Sequence, residues 1–123
     1  MASARILVAD DEPLITSLVA RALAPEHEVV CVADGDEVLR MLAEDPGFDI
    51  VMLDLSMRRI GGIAVYDELA IRAPELAERV MFLTGGAITE DDQDFLARSV
   101  RPRLDKPFSL VELRIAVARL LAS

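Results

Sequence analysis

A chain of 123 residues that is 53% hydrophobic has room for one domain with a substantial core. Its formal net charge of −9 disfavours direct contact with nucleic acid, whose phosphates would repel it. No apolar run approaches the roughly 20 residues that cross a bilayer, and Met1-Ala2-Ser3 leads straight into strand-like sequence; no leader, lipid anchor or membrane partner is expected, and a cytoplasmic location is.

Apolar strand-like runs alternate with helical patterns from end to end, the sequence form of a parallel α/β sheet. The first run, residues 5–9, ends at Asp10-Asp11. From Pro13, a residue suited to a first helical turn, Leu14, Ile15, Leu18, Val19, Ala22 and Leu23 recur at helical spacing, and Pro25 marks the end. Residues 28–32 predict a second strand, in which the lone Cys31 reads as a small core residue. His27, just before it, reads as a surface residue. Asp34 with Glu37 resembles a capping box for a helix over 35–44.

The third run, residues 49–53, leads into Asp54. Gly61-Gly62 breaks the chain before a helix over 63–72, which Pro74 is expected to stop. Val80-Met81-Phe82-Leu83 predicts a fourth buried strand, ending at Thr84-Gly85-Gly86. Thr89 with Asp92 caps a short helix carrying Phe95 and Leu96. A weak strand, Arg103-Leu104, runs into Asp105-Lys106-Pro107-Phe108. Ser109 with Glu112 is an S-x-x-E capping box for a last amphipathic helix bearing Leu110, Leu113, Val117, Leu120 and Leu121. The expectation is five strands and five helices in a small doubly wound sheet, one domain over residues 4–122.

In such a sheet the strand ends share one side, so Asp10, Asp11, Asp54, Thr84 and Lys106 become neighbours in space. Three carboxylates at one rim repel unless a divalent cation gathers them. The pattern points to a magnesium-dependent phosphoryl acceptor with Asp54 as nucleophile.

In these residues the chain resembles the receiver domain of bacterial two-component response regulators. The pieces are Asp10-Asp11 after strand one, Asp54 with Met57 and Gly62 following, Thr84 after strand four, and Lys106-Pro107-Phe108 after strand five. The resemblance implies a flavodoxin-like (βα)5 fold with strand order 2-1-3-4-5. It also implies that Asp54 takes a phosphoryl group from the phosphohistidine of a histidine kinase or phosphotransfer domain. Asp11, Asp54 and the backbone carbonyl of Ser56 would ligate Mg²⁺, with Asp10 acting through a water. Lys106 and the Thr84 hydroxyl would meet the phosphoryl oxygens, and Gly85 would leave that group room. Such a domain catalyses its own phosphorylation and dephosphorylation without being a turnover enzyme, switches its partner-binding surface, and in some members forms homodimers.

Three departures from the family pattern bear on mechanism. Arg58, followed by Arg59, replaces a proline after Met57; the two arginines read as solvated, with the alternative that one reaches the phosphoryl group or an acidic partner. Arg103 replaces the aromatic switch residue three before the lysine, which leaves the 84–100 segment, with its Gly85-Gly86 hinge, to carry the signal. No output domain is expected within these residues, which leaves a stand-alone regulator acting by protein contact or a domain cut from a longer chain; the run Phe82-Leu83-Thr84-Gly85-Gly86-Ala87 with Phe95-Leu96 resembles receivers fused to hybrid histidine kinases. A haloacid-dehalogenase-type phosphatase would need a second aspartate where Ser56 stands. A degenerate receiver that only docks would lack part of the five-residue set.

Overall fold

The computed structural model describes residues 3–86 and 88–123. The chain's entry at Met1-Ala2 and the Ala87 end of the 82–87 run lie outside the described residues. Five parallel strands form one sheet: β1 (Arg5–Ala9), β2 (Glu28–Val32), β3 (Ile50–Asp54), β4 (Val80–Thr84) and β5 (Arg103–Asp105), in the order β2-β1-β3-β4-β5. The helices are α1 (Pro13–Leu23), α2 (Gly35–Glu44), α3 (Gly62–Arg72), α4 (Pro74–Ala77), α5 (Glu90–Arg98) and α6 (Leu110–Ala122). This is the expected doubly wound flavodoxin-like arrangement.

Side-chain alternation along each strand divides the interior into two cores. Leu7, Val51, Leu53, Val80 and Phe82 face α2, α3 and α5. Ile6, Val8, Ile50, Met52, Met81 and Leu83 face α1 and α6 through Val19, Leu23, Leu113 and Val117. The central strands β3 and β4 are buried at every residue, which is why they read as unbroken apolar runs. Each fully buried Leu, Ile or Phe contributes about 1.5–3 kcal/mol, so these strands hold the sheet rigid beneath its loops.

Some expectations shift. The third strand begins one residue later and includes Asp54 as its last position. Helix α3 ends at Arg72 with Ala73 as its C-cap, before Pro74 as expected; Pro74 then occupies the first turn of the short α4, a role its fixed φ suits, making six helices among the described residues. Capping at Thr89 and Ser109 is reciprocal, with each N3 carboxylate returning a bond. At Asp34 only half of the box forms: its side chain accepts from the Glu37 N–H at 2.9 Å. Cys31 is exposed, because β2 is an edge strand whose outer positions reach past α1. His27 is half-buried, and its Nδ1 accepts from the Ala4 N–H at 3.0 Å.

Candidate functional site

The parallel strands deliver their last residues to one rim. Asp10 leaves β1 with its N–H donated to the Val32 carbonyl at 3.2 Å, and its Oδ1 accepts from the Glu12 N–H at 2.9 Å. These bonds fix the turn into α1 and aim the second oxygen inward. Asp54 stands at the end of β3 and Thr84 at the end of β4. Lys106 follows β5, its N–H on the Thr84 carbonyl. Asp10, Asp54 and Thr84 are at most 7% exposed, so the polar cluster sits in the sheet edge and not on a solvated loop.

Lys106 reaches across the rim. Its Nζ lies 2.6 Å from Asp10 Oδ2, 3.2 Å from Asp54 Oδ1 and 3.3 Å from Glu12 Oε1. The approach to Asp10 is close but badly angled, so Asp10 Oδ2 has a charge partner and no hydrogen bond. One oxygen each from Asp10, Asp11 and Asp54 lies within 4.8 Å of the others. Three carboxylates thus surround one ammonium, with Asp11 beside two of them. Three convergent carboxylates, one of them with a buried oxygen that lacks a hydrogen bond, fit a small divalent cation.

The electrostatics follow from this crowding. Burial, and then the neighbouring Asp10, push the Asp54 carboxyl above the usual carboxylate range; Lys106 opposes the shift without cancelling it. Burial alone would lower the Lys106 ammonium, yet Asp10 and Asp54 reverse that and hold it above the ordinary lysine value.

Five of the six residues expected at the site are therefore gathered at one edge. Ser56 lies two residues past Asp54, in the exposed start of the β3–α3 loop. Thr84 sits at the rim, but its hydroxyl donates to Asp105 Oδ1. At Gly85 a Cβ would meet Lys106 Cβ at 2.9 Å, so the absence of a side chain there accommodates the lysine stem. Glu12 and Asp105 escaped sequence reasoning. Each adjoins a residue that was recognised, and an acidic neighbour in a loop carries no distinguishing pattern.

Of the arginines, Arg58 is exposed, and Arg59 adopts φ 65° and pairs with Asp36 at 3.2 Å on the surface. Arg103 is half-exposed, its Nε 3.7 Å from Asp105 Oδ1. Aromatic packing at this end of the molecule comes from other elements: Tyr66 of α3, Phe82 of β4 and Phe95 of α5 meet edge-to-face at 5.6–5.8 Å. A surface hollow lined by Asp49, Glu75, Glu78, Arg79, Val100 and Arg101 opens at the opposite end of the sheet, where β3, β4 and β5 begin.

The family model described as "Response regulator receiver domain" matches residues 6–118. The chain belongs to the response regulator receiver family. Among curated relatives, the transcriptional regulatory protein TcrA of Mycobacterium tuberculosis is 40% identical over 111 residues, covering 89% of this chain and 42% of TcrA. Among solved structures, a receiver domain protein from Clostridium thermocellum superposes with a TM-score of 0.81 at 29% identity, covering 97% of this chain and 94% of that one. The receiver domain of NtrX from Brucella abortus gives 0.81 at 30% identity, covering 96% and 98%. The receiver spans less than half the length of TcrA, and what lies beyond the shared part of such relatives is theirs. Receiver domains of response regulators partner with histidine kinases, which gives the acidic rim its context.

Proposed function

We propose that this receiver accepts a phosphoryl group on Asp54 in a Mg²⁺-dependent reaction and changes its partner-binding surface as a result. The observation that carries the reading is the placing of the one ammonium of the rim, Lys106 Nζ, 3.2 Å from Asp54 Oδ1 among three convergent carboxylates. An Asp54 oxygen forms the new O–P bond as the N–P bond of a phosphohistidine breaks. The electron pair leaves on the imidazole nitrogen, which takes up a proton. Lys106 follows the phosphoryl oxygens as a point charge, and Thr84 is within the same rim to donate one hydrogen bond.

Asp11, Asp54 and the Ser56 carbonyl would hold Mg²⁺, with Asp10 behind a bound water. The ion supplies charge neutralisation between carboxylate and phosphoryl oxygens. Positioning and electrostatics are the protein's contribution, as expected when little acid–base chemistry is required. Loss of the phosphoryl group to water completes a self-limited cycle, so the domain is a switch and not a turnover enzyme.

The donor is a histidine kinase or phosphotransfer domain. A docking face for it lies beside the rim, where a hollow between α1 and α6 is lined by Leu14, Leu18, Arg21, Leu110 and Arg114 and Leu14 is 83% exposed. Among the described residues no helix is long and apolar enough to cross a membrane.

Incubation with acetyl phosphate and Mg²⁺ tests the reading. It predicts one hydroxylamine-labile phosphoryl group per chain, abolished by Asp54→Asn or by chelation; continuous turnover, or an adduct that survives in the variant, contradicts it. Leu14→Glu should slow transfer from a phosphorylated kinase while leaving acetyl phosphate labelling unchanged.

A further inference from the structure

A hydroxyl carries a single proton, and in this structure the Thr84 hydroxyl spends it on Asp105 Oδ1. The pairing is built into the sheet. Thr84 and Asp105 are register partners across β4 and β5, so their side chains leave the same face at the same level. Two residues back on that face stands Arg103, itself the register partner of Phe82. Its Nε is 3.7 Å from the same Asp105 oxygen, an extended and half-exposed contact. Arg103 occupies the position where the family carries its switch aromatic.

We propose that Asp105 is a positioning residue that latches the Thr84 hydroxyl in the unphosphorylated state, and that Arg103 receives Asp105 when the latch opens. The inference rests on the reading that Thr84 serves a phosphoryl group on Asp54. To donate to a phosphoryl oxygen, Thr84 must withdraw its proton from Asp105. Lys106 faces no such choice, because an ammonium has three protons and can hold several acceptors at once. The released Asp105 carboxylate then has Arg103 beside it on the same strand face and closes on it. The arginine thereby gives this chain a polar readout on β5 in place of an aromatic rotation: phosphorylation breaks the Thr84–Asp105 bond and tightens the extended Asp105–Arg103 pair on the outer strand.

Beryllofluoride with Mg²⁺, a stable mimic of the acyl phosphate, provides the probe. Asp105→Ala removes a largely exposed side chain and leaves the β5 backbone pairing in place. It should tighten beryllofluoride binding about three- to tenfold, the release of one charge-assisted hydrogen bond at a partly exposed site. In a Thr84→Val background the same substitution should change affinity by less than about twofold, because there is no hydroxyl to free. In the wild-type domain the Arg103 Nε–H resonance should move on beryllofluoride addition, and the movement should vanish in Asp105→Ala. Unchanged affinity in Asp105→Ala overturns the latch. So does equal tightening in both backgrounds, since that reports only the lost negative charge. Failure of the wild-type domain to bind beryllofluoride at all overturns the phosphoacceptor reading and the latch together.

Discussion

Asp54 and Lys106 pull the local energetics in opposite directions. The Asp54 carboxyl is held above the ordinary carboxylate range by burial and by Asp10, so the folded domain binds a proton there more readily than the unfolded chain. Without metal, stability conferred by this group is present at acid pH. It falls as pH rises from the unfolded value of about 3.9 through the raised folded one. Asp54→Asn should therefore flatten the fall and raise the metal-free Tm near neutrality by roughly a few degrees, measurable by calorimetry. An unchanged profile would mean that Asp54 is not electrostatically strained. Lys106 compensates three carboxylates, and its side chain is 11% exposed. Lys106→Met should cost about 2–4 kcal/mol, since removing one partner strands buried charge, and added Mg²⁺ should recover part of that loss. A variant as stable as the parent would contradict this.

Most of these residues were legible because each follows a recognisable strand. What stayed hidden was direction: nothing in the sequence says that Thr84 turns to Asp105, or that Gly85 yields its space to the Lys106 stem. One cue lay in composition. Lys106 is the chain's only lysine, every other cationic side chain among the 13 being arginine. A compact ammonium rather than a planar fork is therefore kept where several oxygens converge.

At the scale of elements, the site depends on how β3 hands the chain to α3. Gly62 lies so close beneath the nucleophile strand that an added Cβ would come 2.5 Å from the Asp54 carbonyl oxygen. Gly62→Ala should destabilise the domain by about 1–3 kcal/mol and slow phosphorylation by displacing Asp54; normal labelling in a folded variant would show that the loop absorbs the strain. The caps on α5 and α6 are simpler: Ser109→Ala should lower stability by about 1 kcal/mol in a denaturant titration. Element type and order were readable from period and capping signals. The errors came from tertiary context. Cys31 looked internal because its neighbours are valines, but an edge strand exposes one side, and edge position is a property of strand order. Pro74 does stop α3, but that the same proline starts the short α4 was not legible.

For the whole molecule, parallel strands joined by helical crossovers put all chemistry-bearing loops on one side, so residues from Asp10 to Lys106 need only short reaches to meet. The charge of −9 sets a second property. Acidic excess concentrated at that rim should make Mg²⁺ binding weaken as ionic strength rises, because salt screens the attraction. The account stands or falls on which oxygen captures phosphorus. After acetyl phosphate and Mg²⁺, borohydride reduction followed by peptide mass analysis converts an acyl-phosphorylated aspartate to homoserine. The account predicts homoserine at position 54 alone; its appearance at Asp10 or Asp11, or nowhere, would contradict it.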